Sequence, residues 1–320
     1  MIKNRSEIIY LYDVVDNNPN GDPLDSNKPR IDEETGINIV TEVRLKRTIR
    51  DYLKDYKGKE IFVREIRDEN DNVQDSKNRI IMFGTNKNEA AKNVLDKCID
   101  IRIFGATIPI QRNKKTKELV ACKGKGTESS VITFTGPVQF NMGRSLHKVE
   151  LKRVKGIAAF ASGAEKDNKS FREDYILPYS LIGFYGIINE NAAKFTNLTD
   201  DDVNLLLDGI WNGTKNLISR SKVGQLPRLL IKVDYKEGNF HIGGLLNKVK
   251  IKSKIDDEAI RGPKDYQLDL TELRDIIVKN KEKIEKVYFA IDNDIELICN
   301  NEIVSIEAIV EGIQREELNF

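Results

Sequence analysis

Residues 13–53 run DVVDNNPNGDPLDSNKPRIDEETGINIVTEVRLKRTIRDYL. They lead from an apolar strand through a long loop rich in Asn, Gly and Pro into a basic helix, and loops set on rigid elements in this way are where ligands are held. The helix starts near Thr41 or Glu42, and its pitch sets Leu45, Ile49, Tyr52 and Leu53 on one side, a face suited to a sheet. Lys46, Arg47 and Arg50 lie off that stripe. Lys46 and Arg50 project together, and only Glu42, one turn before Lys46, stands at a spacing that offsets either cation. A polyanion would supply the missing charge; a merely solvated basic face is the alternative.

Outward from this stretch, the composition allows one large or two ordinary domains: 320 residues with 39% hydrophobic content suffice for a substantial core. The longest apolar runs are far too short to span a bilayer, and the opening MIKNRSEIIYLYD lacks a signal-peptide pattern, so a cytoplasmic protein with no membrane partner is expected. Cys98, Cys122 and Cys299 make no CxxC and cannot pair completely, which fits a reducing compartment. Net charge is only +1, so any nucleic-acid site must come from local segregation of charge. Basic stretches lie at 44–50, 112–125, 144–155 and 215–228, while acid gathers at 65–75, 200–202 and 256–258. Separate patches of opposite sign also suit stacking of one copy on the next.

Along the chain, residues 7–15 form a buried strand and 42–56 the basic helix. Short strands are expected at 61–66 and 79–83, a helix at 88–99, a core strand at 100–106, a lysine-rich loop at 109–128 and a strand at 131–140. A protruding hairpin or lobe fits 143–174, followed by a strand at 175–188. Thr199 and Asp202 form a capping box, with Leu198 stapling to Val203, for a helix whose buried stripe runs from Val203 through Trp211 to Ile218. A strand at 228–235, a helix at 270–284 and strands at 287–291 and 295–299 complete the pass. Without the insertions the order is strand, helix, strand, strand, helix, strand, a ferredoxin-like α+β pattern shared with RNA-recognition modules.

The NPNGDP loop, Pro29-Arg30, the Thr35-Gly36 turn and LKRTIR occur in an order and spacing that resembles the Cas-seven family, the backbone subunit of type I CRISPR surveillance complexes, nearest its I-B and I-C branches. RIFGA at 102–106, TGPVQF at 135–140, GRSLHKVE at 143–150, LPYSLIGFYG at 177–186 and WNGTKNLISRSKVGQLPRLL at 211–230 extend the likeness over roughly residues 5–235. The resemblance implies a palm of this fold with finger insertions at about 57–97 and 107–135, a thumb at 144–176 and a C-terminal extension at 236–320. It implies a non-catalytic subunit whose copies line up along one guide RNA as a helical filament with other Cas subunits and present the guide for pairing with target DNA, no cofactor being needed. Protein would then hold backbone and shape while base pairing reads sequence.

On that resemblance, Lys46, Arg47 and Arg50 face guide phosphates, and Asn20 and Gly21 belong to a loop closing over the same RNA. Arg220 and Lys222 match a basic loop after the capped helix, although dipole complements would look the same. The segment from Gln139 to Arg144 matches a finger tip, with Met142 as a wedge beside a displaced nucleotide. For Asn20, turn formation explains the residue as well as RNA contact does, and a strand Met is ordinarily core.

Other chemistry has little footing. His147 and His241 stand near no ligand partners in sequence, and surface or satisfied roles suit them better. Asp16, Asn18, Asn20 and Gly21 open like a calcium loop, but Asn27 stands where a bidentate Glu is needed. Gly124-Lys125-Gly126-Thr127 lacks the upstream glycine of a phosphate loop. KGIAAFA at 155–161 and IGFYGII at 182–188 each match the RNA-recognition signature only in part, which favours core packing for Phe184. The enzymatic alternative is a metal-dependent RNase of the type III kind using Asp16, Asp22 or Asp25. A protein-only assembly module is the third reading.

Overall fold

The computed structural model describes residues 1–121, 124–161, 169–219 and 221–320, apart from the side chains of 157–172. Ser6–Asn17 is the central strand, and it is buried on both faces because both faces of its sheet are covered. It pairs antiparallel with Lys169–Ile188 on one side and Leu226–Tyr235 on the other. The sheet continues from Leu226–Tyr235 to Ile284–Ile291 and Arg315–Glu317, and from Lys169–Ile188 to Gly143–Lys148, Ile37–Val40 and Ile31–Asp32. Only the second half of the 20-residue strand Lys169–Ile188 joins the central strand; its first half pairs with Lys152–Ala161 as a hairpin. The result is an α+β protein built on a large mixed sheet.

Alternation along the central strand sends Ile8, Tyr10, Tyr12 and Val14 to one core and Ile9 and Leu11 to another. The first core is completed by two helices, Glu42–Asp55 and Asp200–Lys215. Their close approach depends on Gly209 and Gly213: a Cβ on either would stand 3.0 Å from Ile49 or 3.1 Å from Tyr52. Thr199 and Asp202 make the expected capping box. The helix ends at Lys215, earlier than its apolar stripe suggests, and Ile218 is 77% exposed.

The opposite face of the sheet is sealed by residues 245–313, which contribute a four-stranded sheet and the helix Thr271–Lys279. Two carboxylates with no exposure lie on this face, and the link to the sealing residues runs through the partners of Asp13: the Tyr179 hydroxyl lies 2.9 Å from that of Tyr266, and Arg228 donates to Asp292 at 2.6 Å. Glu7 accepts from the Tyr185 hydroxyl at 2.6 Å, from the Tyr235 hydroxyl and from the amides of Ile242 and Gly243 at 3.0 Å. Asp13 accepts from Arg228 Nε at 2.8 Å and the Tyr179 hydroxyl at 3.1 Å. Both faces of the central sheet are thus interior. Phe184 lies in the first core, as its sequence context suggested; KGIAAFA falls mostly among side chains outside the description.

Residues 62–134 build a third, separate core from Phe62, Phe83, Val94, Ile108 and Ile132. Local expectations failed most often here. The strand expected at 100–106 is the helix Ile99–Phe104, after which Gly105, at φ 67°, turns the chain into the strand Gly105–Asn113. The strand expected at 79–83 is the helix Ser76–Ile81, capped by Asp75, and 61–66 forms no strand. Short apolar runs carry too little periodicity to separate strand from buried helix, so tertiary contacts decide. Of the stretch expected as a lysine-rich loop at 109–128, only the two ends are strand, in the hairpin of Gly105–Asn113 with Thr127–Thr135, while Lys114, Lys115, Lys117 and Lys125 lie in the connection between them.

His147 is a satisfied core histidine. Its Nε2 accepts from the Leu181 amide at 3.2 Å, and its Nδ1 lies 2.7 Å from the Lys148 carbonyl and 3.2 Å from that of Asp257. Burial lowers its pKa, against the pull of those carbonyls and of the Asp257 and Glu258 charges. The unfolded chain therefore takes a proton near the ordinary value of about 6.5 that the folded one resists, and stability falls as pH drops below it. Urea midpoints at pH 7.5 and 5.5 should differ less for His147→Gln than for the parent; an unchanged difference would assign the acid sensitivity elsewhere.

Candidate nucleic-acid interface

The basic helix is set by its start. Thr41 caps it, its hydroxyl accepting from the Arg44 amide at 3.3 Å, and Asn20 Oδ1 in turn accepts from the Thr41 amide at 2.8 Å and hydroxyl at 2.9 Å. Asn20 is thus committed through its carbonyl to fixing where the loop meets the helix, the turn-forming role. Gly21 has a local reason too: a Cβ there would overlap the side chain of Asn27. Leu45, Thr48, Ile49, Tyr52 and Leu53 are buried, and the cations off that stripe have separate fates.

Arg50 is not a free phosphate ligand. Its Nε pairs at 3.0 Å with the fully buried Asp100, whose carboxylate also accepts from the amides of Phe62 at 2.8 Å and Val63 at 3.0 Å. The spacing argument found no counter-ion because Asp100 lies fifty residues away in sequence. Arg47 is closed by Asp51 at 2.7 Å, one turn on, an acid on the same helix that the pairing of Lys46 with Arg50 left out of account. That pair is exposed on both sides, and such pairs contribute little, so a phosphate could replace Asp51.

Lys46 keeps no acid at ion-pair distance. Its Nζ donates to Gln139 Oε1 at 3.1 Å and sits 5.6 Å from the centre of the Phe104 ring, which also carries Arg50 at 5.1 Å. Burial lowers the Lys46 pKa, Glu42 opposes and Arg50 adds to the effect. Among the described residues Lys222 donates only to Ser221 Oγ, at 3.2 Å; burial and the nearby Arg44 charge both lower its pKa. Arg44 is likewise lowered by burial, with Tyr12 and Asp51 opposing and Arg47 adding to the shift. Among the described residues, Arg44, Lys46 and Lys222 have no acidic group at ion-pair distance. The loop carrying Lys222 is held against the Asn-rich loop by Asn18 N to Ser221 O at 3.3 Å and Asn17 Nδ2 to Val223 O at 2.6 Å.

Arg44 was overlooked in the sequence because it lies neither on the apolar stripe nor in register with Lys46 and Arg50. Its place as the first cation of RLKRTIR was the available signal. Phe104, the ring shared by Lys46 and Arg50, could be found only in three dimensions. Met142 is 54% exposed and therefore not core. Arg144, half-exposed, lies 3.5 Å from Asp32, and both Met142 and Arg144 line a cleft with Leu246 and Ile251. Arg220 lies outside the described residues.

The loop aspartates are differently engaged. Asp22 stands 3.4 Å from Arg30 and accepts from the Leu24 amide at 3.0 Å, Asp25 pairs with Lys28 at 2.8 Å, and Asp16 is exposed at φ 46°. Among the described residues no three His, Cys, Asp or Glu side chains are placed to hold a metal ion, and no helix is long and apolar enough to cross a membrane.

Fold and site define a class first: an α+β protein on a large mixed sheet, with the half-buried cations Arg44 and Lys222 close to one another where its basic helix meets two loops, and Lys46 on another side of that helix beside Phe104 and Gln139. The family model described as CRISPR-associated protein Cas7 matches residues 4–271, and the chain belongs to that family. A curated relative from Haloferax volcanii, CRISPR-associated protein Cas7, is 33% identical over 316 residues, covering 94% of this chain and 91% of that one. Two solved structures share the fold. A chain of a CRISPR RNA-guided surveillance complex in a pre-nicking state has TM-score 0.56 at 10% identity, covering 98% of this chain and 96% of that chain. A chain of another CRISPR RNA-guided surveillance complex has TM-score 0.51 at 12% identity, covering 98% and 94%.

Proposed function

We propose that this chain is a non-catalytic backbone subunit of a type I CRISPR surveillance complex, closest to subtype I-B, that grips guide RNA and presents it for pairing with invading DNA. The observation that carries the reading is the set Arg44, Lys46 and Lys222, desolvated cations without acidic partners among the described residues, of which Arg44 and Lys222 stand beside a loop that the helix cap holds in place. Burying unpaired positive charge costs free energy that a phosphate backbone returns as charge-assisted hydrogen bonds. In this reading the central sheet and its two helices are a ferredoxin-like palm, the separate core of residues 62–134 is the finger, and the hairpin from Lys152 is the thumb. Met142 and Arg144 stand at the start of the main-sheet strand Gly143–Lys148 rather than in the finger core, with Met142 exposed to act as the wedge, and Gly21, Arg47 and Arg220 flank the guide. Copies stack along the RNA as a helical filament with other Cas subunits in the cytoplasm.

Family membership supports this reading over a metal-dependent RNase, for which no constellation around Asp16, Asp22 or Asp25 speaks among the described residues. The test is purification from cells that also express the neighbouring Cas subunits and a CRISPR array, followed by extraction and sizing of bound nucleic acid. Discrete RNA of guide length is expected. A nucleic-acid-free assembly, or RNA cut in the presence of divalent ions, would overturn the proposal.

A further inference from the structure

Two motifs of the sequence, RIFGA at 102–106 and TGPVQF at 135–140, meet beside Lys46. Gly105 pairs with Thr135 where the hairpin of Gly105–Asn113 with Thr127–Thr135 closes, and the backbone of Gly136 runs so near that of Phe104 that a Cβ on Gly136 would overlap the Phe104 carbonyl. From there Val138–Phe140 continues as a strand on Lys169–Ile188, with Val138 and Phe140 in the first core and Gln139, between them, exposed. The Gln139 amide is fixed at both ends. Its Nε2 donates to the Gly136 carbonyl at 3.0 Å, which leaves Oε1 to accept from the Lys46 ammonium at 3.1 Å. Phe104, buried at the end of the helix Ile99–Phe104, holds its ring beside the same ammonium, 5.6 Å from it.

These contacts differ in kind from those that close the neighbouring cations. Asp51 and Asp100 hold Arg47 and Arg50 with a carboxylate and cancel their charge, whereas an amide oxygen and an aromatic ring hold Lys46 and leave its charge uncompensated. An ammonium carries three N–H donors, so the one spent on Gln139 leaves the others for an incoming anion. We propose that Gln139 is a positioning residue for the guide backbone: it aims the Lys46 ammonium at a phosphate without neutralising it, so that the long lysine side chain is ordered before RNA arrives. The inference rests on the RNA-binding reading above. The gain is one of entropy, because binding otherwise has to immobilise a side chain of many rotamers. Lys46 stands two residues beyond Arg44, hence about 200° around the helix from it, so this seat is separate from that of Arg44 and Lys222.

The experiment measures fluorescence anisotropy of the full chain with a labelled single-stranded RNA of mixed sequence over a series of salt concentrations. Lys46→Ala should weaken binding about tenfold, one charge-assisted hydrogen bond at the lower end of its range, and make the slope of log affinity against log salt shallower by about 0.7. Gln139→Leu keeps the bulk and removes the acceptor. It should weaken binding about fivefold, the scale of ordering one rotamer-rich side chain, and keep the parental salt slope because the charge remains. Its urea midpoint should match the parent's, since Gln139 is exposed. Added to Lys46→Ala, Gln139→Leu should weaken binding by less than about twofold more, because a residue that acts only through another then has nothing left to aim. Parental affinity in either Lys46→Ala or Gln139→Leu would overturn the proposal. Additive losses would overturn it by making Gln139 an RNA contact of its own, and a lowered urea midpoint by making it a structural residue; RNA binding would stand in each of these cases. Failure of the parent chain to bind would overturn the RNA reading and the positioning role together.

Discussion

Asp100→Ala is expected to cost about 3–5 kcal/mol of folding stability, the scale for breaking one side of a buried ion pair. The substitution leaves the Arg50 guanidinium, mostly buried, without a counter-charge, and strips the Phe62 and Val63 amides of their acceptor. These groups stand where the basic helix meets the start of the third core, so the loss falls on the junction between the two units. Urea unfolding should show a lower midpoint, with the 62–134 unit melting ahead of the sheet. Arg50→Met combined with Asp100→Leu removes both charges and should recover part of the loss, because the desolvation cost disappears along with the attraction. If that pair bound RNA as the parent does, Arg50 would be confirmed as a tether; a marked fall in affinity with an unchanged melting curve would restore it as a phosphate ligand.

Arg44→Ala with Lys222→Ala should lower affinity for single-stranded RNA by about a hundredfold, taking each charge-assisted hydrogen bond at the lower end of its range. The slope of log affinity against log salt should become shallower by about 1.4, roughly 0.7 for each single-strand phosphate that the protein no longer neutralises. Stability should hold or rise, since removing two neighbouring desolvated cations relieves repulsion without orphaning any acid. A loss confined to one sequence, or an unchanged salt slope, would show that these cations do not meet phosphate.

The sequence by itself determined the elements whose periodicity is long or whose caps are explicit. The central strand, the helices Glu42–Asp55 and Asp200–Lys215 with the capping box at Thr199, and the α+β class follow from local pattern, because each such element buries one repeating face whatever surrounds it. The ordered motifs from NPNGDP to the segment ending at Leu230 pointed to the family that the comparisons then showed. Tertiary structure alone decided which cations are available. Lys46, Arg47 and Arg50 are equivalent as letters on a helical wheel, yet Asp100 claims Arg50, Asp51 claims Arg47, and Lys46 keeps only an amide and a ring. Tertiary structure also decided that residues 245–313 seal the second sheet face, where Tyr266 meets Tyr179 and Asp292 meets Arg228, and that the Arg44 charge acts on Lys222. The physical reason is range: caps and amphipathic stripes are settled within a few residues, whereas the partner of a buried charge is chosen by which distant carboxylate the fold brings within about 3 Å.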